Sequence, residues 1–94
     1  MDREALIAAI RTRQSFLCVG LDSDLEKLPS SFSKDAAGML AFNKAIIAAT
    51  KAYCVAYKPN TAFYEVLGKE GWAVLEETIA AIPDTHFIIA DAKR

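Results

Sequence analysis

Apolar residues follow two spacings along this chain, and the two alternate. Over residues 2–13, Leu6 and Ile10 lie four apart, Ile7 broadens the same face, and Ala5, Ala8 and Ala9 favour a helix. Asp2 and Glu4 suit the positive end of that helix, Arg11 and Arg13 its negative end. Residues 15–21 (SFLCVGL) form an unbroken apolar run, the pattern of a strand covered on both faces in a parallel sheet. A polar loop containing Pro29 occupies residues 23–33. Helical spacing returns over residues 34–51, with Met39, Phe42, Ile46 and Ile47 as the apolar stripe and Asn43 and Lys44 on the polar side. Residues 53–60 (YCVAYKPN) predict a second strand, closed by Pro59 because proline cannot continue a central ladder. Residues 61–67 predict a short helical turn that Gly68 breaks. Residues 71–82 predict a further helix, with Trp72, Leu75 and Ile79 on one side, Glu76 and Glu77 opposite, and Pro83 ending it. A third strand is expected over residues 85–90, with His86 at its start as a structural histidine.

Helix, strand, helix, strand, helix, strand is the order of right-handed βαβ crossovers around a parallel sheet. Each strand ends in polar residues: Asp22, then Lys58 with Asn60, then Asp91 with Lys93. Side chains two apart on a strand share a face, so Asp91 and Lys93 are expected to point the same way. The carboxyl ends of parallel strands are also where α/β enzymes place their chemistry. Asp22 serves there either as an Asx turn or helix cap, or as a ligand-facing carboxylate. Lys58 follows a mostly apolar run and precedes a proline, which predicts partial burial. Three consecutive strands delivering such groups to one rim point to a (β/α)8 TIM barrel. No G-x-G-x-x-G or Walker A run follows the first strand, which counts against nucleotide-binding doubly wound folds. A barrel of that kind takes ~250 residues, and the smallest ~200. The 94 residues present are thus expected to form one incomplete barrel domain, residues 1–94, holding the N-terminal helix and the first three strands. Val19, Val55 and Ile89, or their neighbours, are expected on its inner face.

Composition narrows the function classes. With 53% hydrophobic residues, most of the chain expects burial. The net charge of −1, with both signs interspersed, argues against a nucleic-acid partner. No apolar run approaches the ~20 residues that span a bilayer. Met1-Asp2-Arg3-Glu4 lacks the basic start of a signal peptide, so a cytoplasmic location is expected, with no membrane partner. Cys18 and Cys54 lie in apolar runs without a C-x-x-C pair, which predicts buried free thiols and no metal or redox role.

Phe16-Leu17-Cys18-Val19-Gly20-Leu21-Asp22, with Leu28-Pro29 downstream, resembles the first strand and loop of the orotidine 5′-phosphate decarboxylase family, in its longer bacterial subgroup. Tyr57-Lys58-Pro59-Asn60, running into Ala62-Phe63-Tyr64-Glu65, resembles its second strand. Ile89-Ala90-Asp91-Ala92-Lys93-Arg94 resembles the third, which in the family carries D-x-K-x-x-D; the second aspartate of that motif would fall beyond Arg94. The resemblance implies decarboxylation of orotidine 5′-phosphate to UMP in pyrimidine synthesis, with no metal or organic cofactor. It implies that Lys93 stabilises and protonates the C6 carbanion and that Asp91 lies against the substrate carboxylate. Lys58 would bond Asp91 and, with Asp22, the ribose hydroxyls, while Asn60 lies on the ribose side. A homodimer with a shared active site is implied too, and the fragment alone would be inactive.

Two other readings stand beside it. Related barrel enzymes that act on sugar phosphates share D-x-K-x-x-D but use magnesium to steady an enediolate. The Gly-Leu-Asp, Lys-Pro-Asn and Ala-Phe-Tyr-Glu runs favour the pyrimidine enzyme over these. The third reading is a non-catalytic half-barrel assembly module, which only the short length supports.

Overall fold

A computed structural model describes residues 2–92 of the chain, so Lys93 lies outside the described residues. In order come α1 (Arg3–Arg13), β1 (Cys18–Leu21), a 3-10 turn (Leu25–Lys27), α2 (Ala36–Thr50), β2 (Ala56–Pro59), α3 (Ala62–Glu65), α4 (Lys69–Ala81) and β3 (Phe87–Ile88). The strands make one parallel sheet in the order β1-β2-β3, so neighbours in sequence are neighbours in space. This is the α/β arrangement that the alternating spacings predict.

Local chemistry sets the element ends. Asp2 accepts a hydrogen bond from the Ala5 amide and Asp35 one from the Gly38 amide, each at 2.8 Å, so α1 and α2 each open on a carboxylate cap. Gln14 ends α1 in the left-handed region, at φ 52°. Gly68 precedes α4 at φ 62° and ψ −134°, a backbone open to glycine alone. The strands are shorter than the apolar runs that predict them, with four, four and two residues. Hydrophobicity extends further than the ladder because Phe16 and Leu17 precede the paired stretch. Pairing nevertheless continues beyond β3. The Ile89 amide donates to the Tyr57 carbonyl and the Asp91 amide to the Pro59 carbonyl, both at 2.9 Å, and Asn60 bridges Asp91.

Helices cover one face of the sheet. Leu21, Ile47, Cys54, Tyr57 and Ile82 form the core beneath it, with Val19, Ile46 and Ile88 packed against them. Met39, Tyr64, Val74 and Leu75 form a second cluster between α2, α3 and α4. His86 is 5% exposed and is satisfied structurally, its Nε2 at 2.8 Å from the Lys51 carbonyl and its Nδ1 at 3.1 Å from Thr85 Oγ1.

Among the described residues the other face of the sheet lies open at Cys18, Gly20 and Ile89, and this corrects two expectations. β1 is covered on one side rather than both. Cys18, Gly20 and Ile89 are exposed, whereas Val19 packs into the core and Val55 is buried. Side chains alternate, so a one-residue offset moves a valine from one face to the other. Cys18 is consequently an exposed free thiol, while Cys54 is buried as expected. Two helix faces also rotate from their predicted positions. Trp72 stays 45% exposed while Val74, Leu75 and Thr78 turn inward, and Asn43 is fully buried rather than on a polar face.

Candidate active site

The parallel register fixes which side chains share the sheet's carboxyl edge. β1 and β2 pair from Cys18 with Ala56 to Leu21 with Pro59. Continuing that register by one residue sets Asp22 beside Asn60, and Asn60 is itself bridged to Asp91. Asp22, Asn60 and Asp91 thus form one cross-strand row at the strand ends. Lys58, paired with Gly20, lies two residues earlier on the same face. That face is the one left open at Cys18, Gly20 and Ile89. The Asp22 carboxylate leans over it, since a Cβ added at Gly20 would meet Asp22 Oδ2 at 3.8 Å.

Lys58 Nζ stands 3.9 Å from Asp91 Oδ2, an ion pair longer than a direct hydrogen bond. The lysine side chain is 41% exposed and the aspartate 19%. An open pair of this kind contributes ~0–1 kcal/mol to stability. Its consequence is the placing of a positive and a negative charge side by side at the rim. The Asp91 backbone is also tied in. Its carbonyl accepts from the Thr61 amide at 3.0 Å and from Thr61 Oγ1 at 3.4 Å. Asn60 spends its side-chain oxygen locally, accepting from the Ala62 amide at 3.1 Å in the turn that opens α3.

Beneath Asp22 lies a polar group that the sequence reading did not assign. Asn43 from α2 donates through Nδ2 to Tyr64 Oη at 3.1 Å and to Thr78 Oγ1 at 3.0 Å. Tyr64 Oη donates onward to the Leu21 carbonyl at 3.0 Å, and the Ser23 hydroxyl donates to Asn43 Oδ1. Burial, with the Asp22 charge adding to it, pushes the Tyr64 hydroxyl up to about 12, so it remains a donor. One signal for Asn43 was present in the sequence. It lies four residues from both Met39 and Ile47, in the middle of the buried stripe.

No protein-family model matches the chain. It is 50% identical over 97 residues to orotidine 5′-phosphate decarboxylase of Phocaeicola vulgatus, an alignment covering 100% of this chain and 36% of the relative. Among solved structures it superposes on Leishmania donovani UMP synthase with a TM-score of 0.82 and 41% identity, covering 97% of this chain and 18% of that one. On Leishmania donovani OMP decarboxylase the TM-score is 0.74 at 42% identity, covering 95% of this chain and 33% of that one. The chain spans about a third of the length of the curated relatives it matches. Along its whole length, the chain is related to orotidine 5′-phosphate decarboxylases, and its three parallel strands and their helices have the fold of part of that barrel.

Proposed function

We propose that this chain furnishes one rim of the active site of an orotidine 5′-phosphate decarboxylase, whose complete form converts orotidine 5′-phosphate to UMP in pyrimidine biosynthesis. The observation that carries the reading is the whole-chain similarity at 50% identity, joined to the convergence of Asp22, Lys58 and Asp91 at one edge of the sheet. The substrate is then a small phosphorylated molecule, and the site is shared between the subunits of a homodimer.

In this reading Asp22 and Lys58 hold the ribose hydroxyls, with Asn60 beside them. Asp91 faces the substrate carboxylate and keeps Lys93 protonated. As the C6–carboxylate bond breaks, carbon dioxide leaves and the electron pair stays on C6. The Lys93 ammonium stabilises that charge and then delivers its proton to C6, leaving a neutral amine that regains a proton from solvent. Stabilisation of charge that exists only in the transition state is usually the largest catalytic contribution. The chemistry so described calls for no metal or organic cofactor.

Steady-state kinetics of the complete enzyme test it. Lys93→Ala should lower kcat by roughly a thousandfold or more, since it removes both the charge and the general acid. Asp22→Ala should act mainly on KM, because its contact is present before and during bond breaking. Near-normal turnover by Lys93→Ala would overturn the assignment. Loss of wild-type activity in a chelator, restored by magnesium, would favour the sugar-phosphate chemistry instead.

A further inference from the structure

We propose that Asn43 and Tyr64 are positioning residues for Asp22, fixing the carboxylate by tying down the residue on each side of it. The inference rests on the ribose-holding role proposed above for Asp22.

Asp22 follows the last residue of β1 and has no ladder of its own. Its two neighbours are nonetheless tied down from below. The Leu21 carbonyl accepts from Tyr64 Oη at 3.0 Å, and the Ser23 hydroxyl donates to Asn43 Oδ1. Asn43 joins the two ties, because its Nδ2 donates to Tyr64 Oη at 3.1 Å, and it reaches α4 through Thr78 Oγ1 at 3.0 Å. Asn43, Tyr64 and Thr78 are 0% exposed and Ser23 is 4% exposed. Three helices thus hold the segment 21–23 through one connected set of hydrogen bonds.

The choice of residues is informative. Four buried polar side chains are a costly way to fill a core, since each must give up water and then find a partner. Apolar residues of similar volume would pack the same space without that requirement. A fully satisfied network instead selects one geometry, because any shift of the segment leaves a buried donor or acceptor unmet. The geometry selected here is that of the peptide bearing Asp22. Misplacing a substrate-holding group by ~1 Å can cost ~100-fold in rate or binding.

Two substitutions in the complete enzyme separate positioning from packing. Tyr64→Phe keeps the ring in its cluster and removes only the hydroxyl. Asn43→Leu keeps the branched shape, removes the Ser23 tie and cuts the link that steadies Tyr64. Each should raise KM for orotidine 5′-phosphate about tenfold with kcat within about twofold, because the ribose contact stabilises ground and transition states alike. In an Asp22→Ala background, Tyr64→Phe should leave KM unchanged, as the group being positioned is gone. Crystal structures should show the Asp22 carboxylate displaced from its wild-type place relative to Lys58 and Asn60. An unmoved Asp22, an unchanged KM in both variants, or a full tenfold effect persisting without Asp22 would each overturn the inference. A fall in kcat at constant KM would assign the network to folding alone. Should the wild-type enzyme fail to turn over orotidine 5′-phosphate while Asp22 still moves, the proposed substrate is wrong and the positioning stands.

Discussion

Gly71 sits where a methyl group has no room. A Cβ there would lie 1.6 Å from the Tyr64 carbonyl oxygen, and backbone cannot swing aside as a side-chain end can. Gly71→Ala should therefore destabilise the complete protein by about 3 kcal/mol, the upper range of overpacking costs, read as a lower denaturation midpoint. A loss below about 1 kcal/mol would show that α3 and α4 separate readily. The same displacement would disturb Tyr64, and through it the tie to Leu21, so activity should fall in parallel. At this scale the candidate site was partly legible. Asp22, Lys58, Asn60 and Asp91 were singled out in sequence because polar residues ending apolar runs stand out. Asn43 and Ser23 were not, since a buried polar residue looks like a surface one until its partners are known. Lys93 was singled out in the same way and lies outside the described residues.

Among elements, α2 is joined to β2 and α3 by two buried phenols. Tyr57 Oη lies 2.7 Å from Thr50 Oγ1 and donates to the Ile47 carbonyl at 3.2 Å, while Tyr64 meets Asn43 and Leu21. Burial raises both hydroxyls from 10.0 to about 12. Between those values the unfolded chain loses protons that the folded chain keeps. The contribution of these two hydroxyls to stability is therefore level below pH 10 and should decline as pH rises from 10 through 12. Denaturant midpoints across that range check it, and Tyr64→Phe should flatten the decline. A stability that holds level to pH 12 would mean that neither hydroxyl is anchored as described. The existence, type and order of these elements were readable from spacing. Their ends were not, because a strand stops where its partner stops, whatever its hydrophobicity.

For the whole molecule, the consequential feature is the sheet face that lies open among the described residues. Phe16 (85% exposed), Leu17 (50%) and Ile89 (39%) are large apolar side chains open to water, and β1 and β3 are the sheet's edge strands. In a closed barrel that face is interior and those edges are paired. Expressed alone, the 94-residue chain should associate with rising concentration, and sedimentation velocity would show it. A concentration-independent monomer with cooperative unfolding would instead revive the small-module reading. Among the described residues no helix is long and apolar enough to cross a membrane.

By itself the sequence determined the alternation of helix and strand, the parallel sheet and the polar strand ends. Each of these follows from patterns among near neighbours: a 3.6-residue spacing for a helix, an unbroken apolar run for a buried strand, and a charge where that run ends. Tertiary structure decided what depends on residues far apart. It set the register that aligns Asp22, Asn60 and Asp91, and it turned Cys18 outward and Val19 inward. It also joined Ser23, Asn43, Tyr64 and Thr78, which span 55 positions of chain, into one buried network. The physical reason is that a face or a hydrogen bond needs both partners in place, and only the folded chain supplies the second.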